Sequence, residues 1–234
     1  MRSVASSLAF GAILFAATAA FAQDTPVVVE LFTSQGCSSC PPADAFLTDL
    51  ARQRRDVLAL AFHVTYWDGL GWKDPFSLKA ATDRQEGYAR SLGDGQIYTP
   101  EMVVNGVHGF IGSRRPEGLS AISRAASEPA IHVPLRIMRD GQNLVVSVAR
   151  GAEHAKVLLV GFDQEHQTHV GRGENGGRTL LESNVVRSLT VAGQWTGPAT
   201  EVRAMVPLGE RVAALLQADD GRILGVAILD TSAT

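Results

Sequence analysis

The sequence predicts an α/β domain of element order βαβαββα, followed by a β-rich C-terminal part that is antiparallel and sandwich-like. Two observations carry this reading. Between residues 27 and 128, short β-branched runs alternate with stretches of helical periodicity. From Pro129 onward, strand-like segments follow one another between turn signals. The expected organisation is residues 1–22 as a signal peptide, 23–128 as the α/β domain and 129–234 as the β-rich domain, with the boundary at 128–131.

Each element has its own local cause. Val27 to Phe32 (VVVELF) is short, apolar and β-branched, which suits a buried strand. In 41–54, Ala43, Phe46, Leu47, Leu50 and Ala51 form one helical stripe, with Asp44 and Asp49 off it. Arg52, Arg54 and Arg55 suit the negative end of that helix dipole. Val57 to Val64 (VLALAFHV) is a second buried strand, and a loop rich in Trp and Gly runs from Tyr66 to Phe76. A helix is expected over 77–92, ending near Gly93. Asn105-Gly106 between apolar runs is a hairpin signal with arms at 101–104 and 107–111. Pro116 fits the first turn of a helix reaching about Ser127. Beyond it, HVPLRIM, NLVVSVA, KVLLVGF, VVRSLTVA, TEVRAMVPL, VAALLQA and ILGVAIL read as strands, with turns at Asp140-Gly141 and Asp220-Gly221.

The N-terminus carries Arg2, an apolar stretch from Leu8 to Ala20, and the small-x-small triplet Ala20-Phe21-Ala22. This is the layout of a secretory signal peptide cleaved after Ala22. The protein is therefore expected in the periplasm or secreted, without stable membrane insertion. A formal net charge of −3 provides no electrostatic footprint for nucleic acid.

The chain has two cysteines, Cys37 and Cys40, both at the first strand–helix junction. A disulfide closing so short a loop removes little entropy from the unfolded chain, so stability alone is a poor reason for it. Zinc would need four ligands in a structural site, and only two thiols exist. Cu(I) suits two thiolates, with His63 at the end of the second strand as a third ligand. A redox pair is the other reading. A helix N-terminus stabilises a thiolate on Cys37, the nucleophile, and Cys40, one turn later, resolves the mixed disulfide. A non-enzymatic interaction module remains a third alternative.

The order of elements resembles the thioredoxin superfamily, with CxxC after the first strand and an X-Pro just before a hairpin. That resemblance implies that Thr99-Pro100 is cis and faces the cysteines, and that Glu30 is the buried acid that accepts a proton. Here one extra residue separates the acid from the first cysteine. The runs VELFTSQGCSSCPPAD, HVTYWDGLGWKDPF, YTPEMVVNG and GENGGRTLLESNVVRSL are similar to the exported bacterial family DUF1223. This second resemblance covers nearly the whole mature chain and implies a thioredoxin-like domain with a β-rich C-terminal part. Together they imply a thiol–disulfide oxidoreductase without a cofactor. Its partners would be protein thiols or disulfides and a membrane redox protein. Thr99, Trp67 and Trp72 are expected to line the substrate surface, and Gly171–Arg178 to form a turn or a contact with the first domain.

Overall fold

The computed structural model describes residues 25–93, 95–127 and 132–229. The expected signal peptide, its cleavage site after Ala22 and the expected boundary at 128–131 lie outside the described residues. The first half contains β1 (Val27–Thr33), α1 (Pro41–Gln53), β2 (Val57–His63), α2 (Lys79–Leu92), β3 (Glu101–Val104), β4 (His108–Ile111) and α3 (Arg115–Ser127). The second is β-rich: β5 (Leu135–Asp140), β6 (Asn143–Val148), β7 (Ala155–His169), β8 (Thr179–Trp195), β9 (Thr200–Met205), β10 (Arg211–Ala218) and β11 (Ile223–Ile228). The fold is thus mixed α/β, with a large sheet and, among the described residues, three helices. None of these is long and apolar enough to cross a membrane.

The large sheet runs β11-β10-β7-β8-β2-β1-β3-β4 and so draws strands from both halves of the chain. β1 lies parallel to β2 and antiparallel to β3. β8 lies parallel to β2, with Val185 opposite Ala61. Without β8, the fully buried β2 would present an unpaired edge. Asn184 adopts a φ of +50° beside this contact and donates its side-chain amide to Ala59 O at 2.8 Å, replacing part of a regular ladder.

The second sheet, β5-β6-β9, lies against the far part of the first. Ile137, Leu144, Val146 and Val148 share one core with Val157, Leu159, Val212, Ala214 and Leu216. The C-terminal strands therefore do layer face to face, but the deeper layer is the shared sheet. On the remainder of that sheet the alternation of strand residues sets two faces. Val27, Val29 and Leu31 pack with Ala43, Phe46, Leu47 and Leu50 of α1 and with Ala121 and Ile122 of α3. Val28 and Phe32 pack instead with Ala81 and Tyr88 of α2.

Candidate functional site

β1 delivers the chain to a loop over 34–40 that leads into α1. Within it, Cys37 N–H donates to Ser34 O at 3.1 Å and Cys40 N–H to Cys37 O at 3.2 Å. Cys40 is the helix N-cap residue, its carbonyl accepting from Ala43 N (2.8 Å) and Asp44 N (3.1 Å). Cys37 was the residue expected at this helix end. Pro41 and Pro42 decide otherwise: lacking N–H groups, they fit only the first helical turn, so the helix starts immediately after Cys40. Cys37 and Cys40 form a disulfide with Cα atoms 5.4 Å apart. Both cysteines are 0% exposed, while Ser38 and Ser39 between them are exposed. Cys37 Sγ lies 3.3 Å from Ser39 Oγ.

Several of the sequence-predicted residues converge here. The Thr99-Pro100 bond is cis. A Cβ placed on Gly112 would meet Leu31, Ala43 and Pro100 within 3.4 Å, so Pro100 shares a tight junction with the first turn of α1. Trp67 Nε1 donates to Thr99 Oγ1 at 2.8 Å. The same tryptophan lies against Gly36, where an added Cβ would come within 3.2 Å of Trp67 Cβ. Trp72 Nε1 donates to Gln35 Oε1 at 3.1 Å, and its Cβ packs on Gly173. That glycine belongs to the β7–β8 loop, which reaches across from the C-terminal half. Buried Asn175 donates to both Gln35 O (3.0 Å) and Cys37 O (2.9 Å). Glu174 accepts from Ser38 N–H at 2.9 Å.

Glu30 is not part of this group. Its carboxylate is held by Arg84 Nε and Nη2 and by the Tyr88 hydroxyl, the last at 2.8 Å. It shares the α2 face with Val28 and Phe32, whereas the helix that begins at Cys40 lies on the opposite face. Side chains alternate within β1, so Glu30 falls with Val28 and Phe32, while Val29 and Leu31 face α1.

A different set of acids occupies the cysteine side. Asp44, expected off the apolar stripe of α1, is buried and accepts from Thr33 Oγ1 at 2.7 Å. His63 Nδ1 is 2.7 Å from Asp74 Oδ2, and His63 Nε2 faces Glu182 Oε1 at 3.7 Å. Gln35 joins the group, donating its N–H to Asp74 (2.8 Å) and its amide to Glu182 (2.6 Å). Burial, then the charge of Glu182, pushes the Asp44 carboxyl up to about 7, against the lowering effect of the Thr33 bond. Burial works against a charged His63, but Asp74 and Glu182 outweigh it and raise the imidazole to about 9. Burial also raises Glu182 above its ordinary value. For Asp74 it acts in the same direction, but the His63 charge and bond prevail and lower that carboxyl.

His63 is therefore committed to carboxylates, with its ring edge-on to Phe76 at 5.6 Å. Among the described residues, no three His, Cys, Asp or Glu side chains are grouped so as to hold a metal ion. Sequence reasoning missed Asp44, Glu182, Gln35 and Asn175. The one local signal was an acid four residues after Cys40, one helical turn along.

The model of DUF1223, described as a protein of unknown function, matches residues 28–224. Among solved structures, an X-ray crystal structure of a structural-genomics protein from Agrobacterium tumefaciens is 32% identical, with a TM-score of 0.76. The match covers 91% of this chain and 98% of the other. HBP35 of Porphyromonas gingivalis is similar in fold, with a TM-score of 0.57 and 14% identity over 90% of this chain and 78% of its own. No curated protein matches.

Proposed function

This chain belongs to the DUF1223 family, and from its own residues we propose that it is an exported, thioredoxin-like thiol–disulfide oxidoreductase acting through Cys37 and Cys40. The observation that supports this most is the disulfide itself. It closes at the N-terminus of α1, in a loop whose backbone is held by Asn175 and Glu174. In this reading residues 23–128 form the thioredoxin-like unit, and residues 129–234 supply the strand and loop that enclose the pair.

The exchange is a reversible two-electron reaction. A substrate thiolate attacks Cys37 Sγ, the Cys37–Cys40 bond breaks, and the electron pair leaves on Cys40. A second substrate thiolate then attacks the substrate sulfur of the mixed disulfide, releasing Cys37 and forming the substrate disulfide. Cys37 is the attacked sulfur in this direction and the nucleophile in the reverse one. Access to it requires the Ser38–Ser39 turn or the β7–β8 loop to yield. The bond between Glu174 and Ser38 is solvent-exposed, and such bonds contribute little to stability.

Cys40→Ala removes the resolving thiol and traps the intermediate on Cys37. We expect discrete, reductant-sensitive adducts among exported proteins in this variant and none in the Cys37→Ala control. Adducts absent from Cys40→Ala, or equally abundant in the control, overturn the reading.

A further inference from the structure

We propose that Asp44, backed by Glu182, takes and returns the proton of Cys40 during exchange, an assignment that rests on the oxidoreductase reading. Cys40 has helical backbone angles, with φ −77° and ψ −37°, and Asp44 N–H bonds its carbonyl. Residues related in this way lie on the same helix face, with Cβ atoms about 5–6 Å apart. That spacing lets a carboxyl oxygen and a sulfur meet directly or through one water. Glu30, the acid suggested by resemblance, lies across the sheet and is held by Arg84.

The surroundings suit a group that changes protonation. Asp44 is 6% exposed, accepts from Thr33 on β1, and is acted on by the charges of Glu182 on β8, His63 on β2 and Asp74 in the following loop. Three carboxyls and one imidazole thus share one buried space. Burial, and after it the repulsion from Glu182, disfavours the Asp44 carboxylate and raises that carboxyl to about 7. Glu182 Oε1 and His63 Nε2 are buried without a hydrogen-bond partner among the described residues and face each other, so the cluster has capacity for a further proton.

When a substrate thiolate attacks Cys37, Cys40 leaves as a thiolate and the Asp44 carboxylic acid protonates it. In the reverse direction the Asp44 carboxylate removes the Cys40 proton. The Cys40 thiolate then attacks Cys37 Sγ, the pair is oxidised, and the substrate sulfur leaves with the electron pair and is protonated from solvent.

The test uses the reduced full chain with oxidised glutathione, following the Cys37–glutathione adduct by quenched-flow mass spectrometry across pH. Wild-type resolution is expected to slow as pH falls through about 7, where the Asp44 carboxylate becomes protonated. Asp44→Asn is expected to lose that inflection and resolve about 100-fold more slowly at neutral pH, with adduct formation unchanged. Asp44→Glu should restore it in part. Thr33→Val removes the hydroxyl that favours the charged carboxylate and should move the inflection to higher pH. Thr33→Val decides the matter even where Asp44→Asn fails to fold. An inflection that persists in Asp44→Asn, or stays in place in Thr33→Val, overturns the assignment. Wild-type protein that forms no adduct at all overturns the oxidoreductase reading, and this assignment with it.

Discussion

Gln35 has each of its polar groups engaged. Its N–H goes to Asp74, its carbonyl to Asn175, its amide nitrogen to Glu182 and its amide oxygen to Trp72. Two residues before Cys37, it connects the cysteine loop to the buried charges. Those charges make stability depend on pH, and the sign follows from the proton counts. Folded His63 keeps its proton to about 9, and the unfolded side chain releases it near 6.5. The stability it contributes is complete below 6.5 and is lost as pH rises through about 9. Asp44 acts in the same sense between 3.8 and about 7, because the folded carboxyl holds a proton that the unfolded one releases. Asp74, lowered on folding, contributes stability that is lost only on acidification below its ordinary range. The thermal midpoint is therefore expected to fall as pH rises from 6.5 to about 9. His63→Gln should flatten that limb, and calorimetry at a series of pH values checks both. A flat wild-type limb would mean that His63 is not a buried cation.

At the scale of elements, the decisive piece is the loop between β7 and β8. It follows a long hairpin whose strands pair from Ala155 with Trp195 to His169 with Thr179, and it carries Glu174 and Asn175 to the cysteine loop. Gly173 at φ +82° packs its backbone against Gly71, so the two loops approach without side chains between them. Asn175→Ala would leave the buried Gln35 carbonyl without its donor and Cys37 O with the Cys40 N–H alone. We expect it to cost about 1–3 kcal/mol in urea unfolding. Reduction of the disulfide by dithiothreitol should also speed up by about tenfold, since ~1.4 kcal/mol of lost restraint corresponds to that factor. Glu174→Ala, whose bond is exposed, should change the reduction rate much less. Equal rates in wild type and Asn175→Ala would show that the loop does not restrain the pair.

Across the whole molecule, the two halves share one core. Leu58, Leu60 and Phe62 of β2 pack with Leu158, Val160 and Phe162 of β7, Val186 of β8 and Ala213 and Leu215 of β10. A fragment ending at Ser127 would expose those apolar side chains and the outer edge of β2, leaving a surface prone to edge-to-edge pairing. We expect residues 25–127 alone to aggregate or to lack fixed tertiary packing. Near-UV circular dichroism and gel filtration of the fragment measure this. A monomer with sharp, native-like signals would show that the shared core is dispensable.

Much of the local structure was legible from the chain alone, because its causes are local. Pro41 and Pro42 set where α1 begins, Asn105-Gly106 turns the β3–β4 hairpin, and Gly93 at φ +84° ends α2. The cysteine pair was equally readable, since a CxxC between a strand and a helix is a contiguous signal. The choice between Glu30 and Asp44 was not. It depends on which face of β1 lies under α1 and on an arginine 54 residues away. Glu182 and Asn175, 147 and 138 residues from their partners in the cysteine loop, enter the site only because β8 adds beside β2. The sequence by itself determined the elements and the place of the cysteine pair between them. Which acids share the buried space, and what covers the disulfide, only the tertiary structure decided: burial and charge coupling come from contacts between distant segments, and no local pattern encodes them.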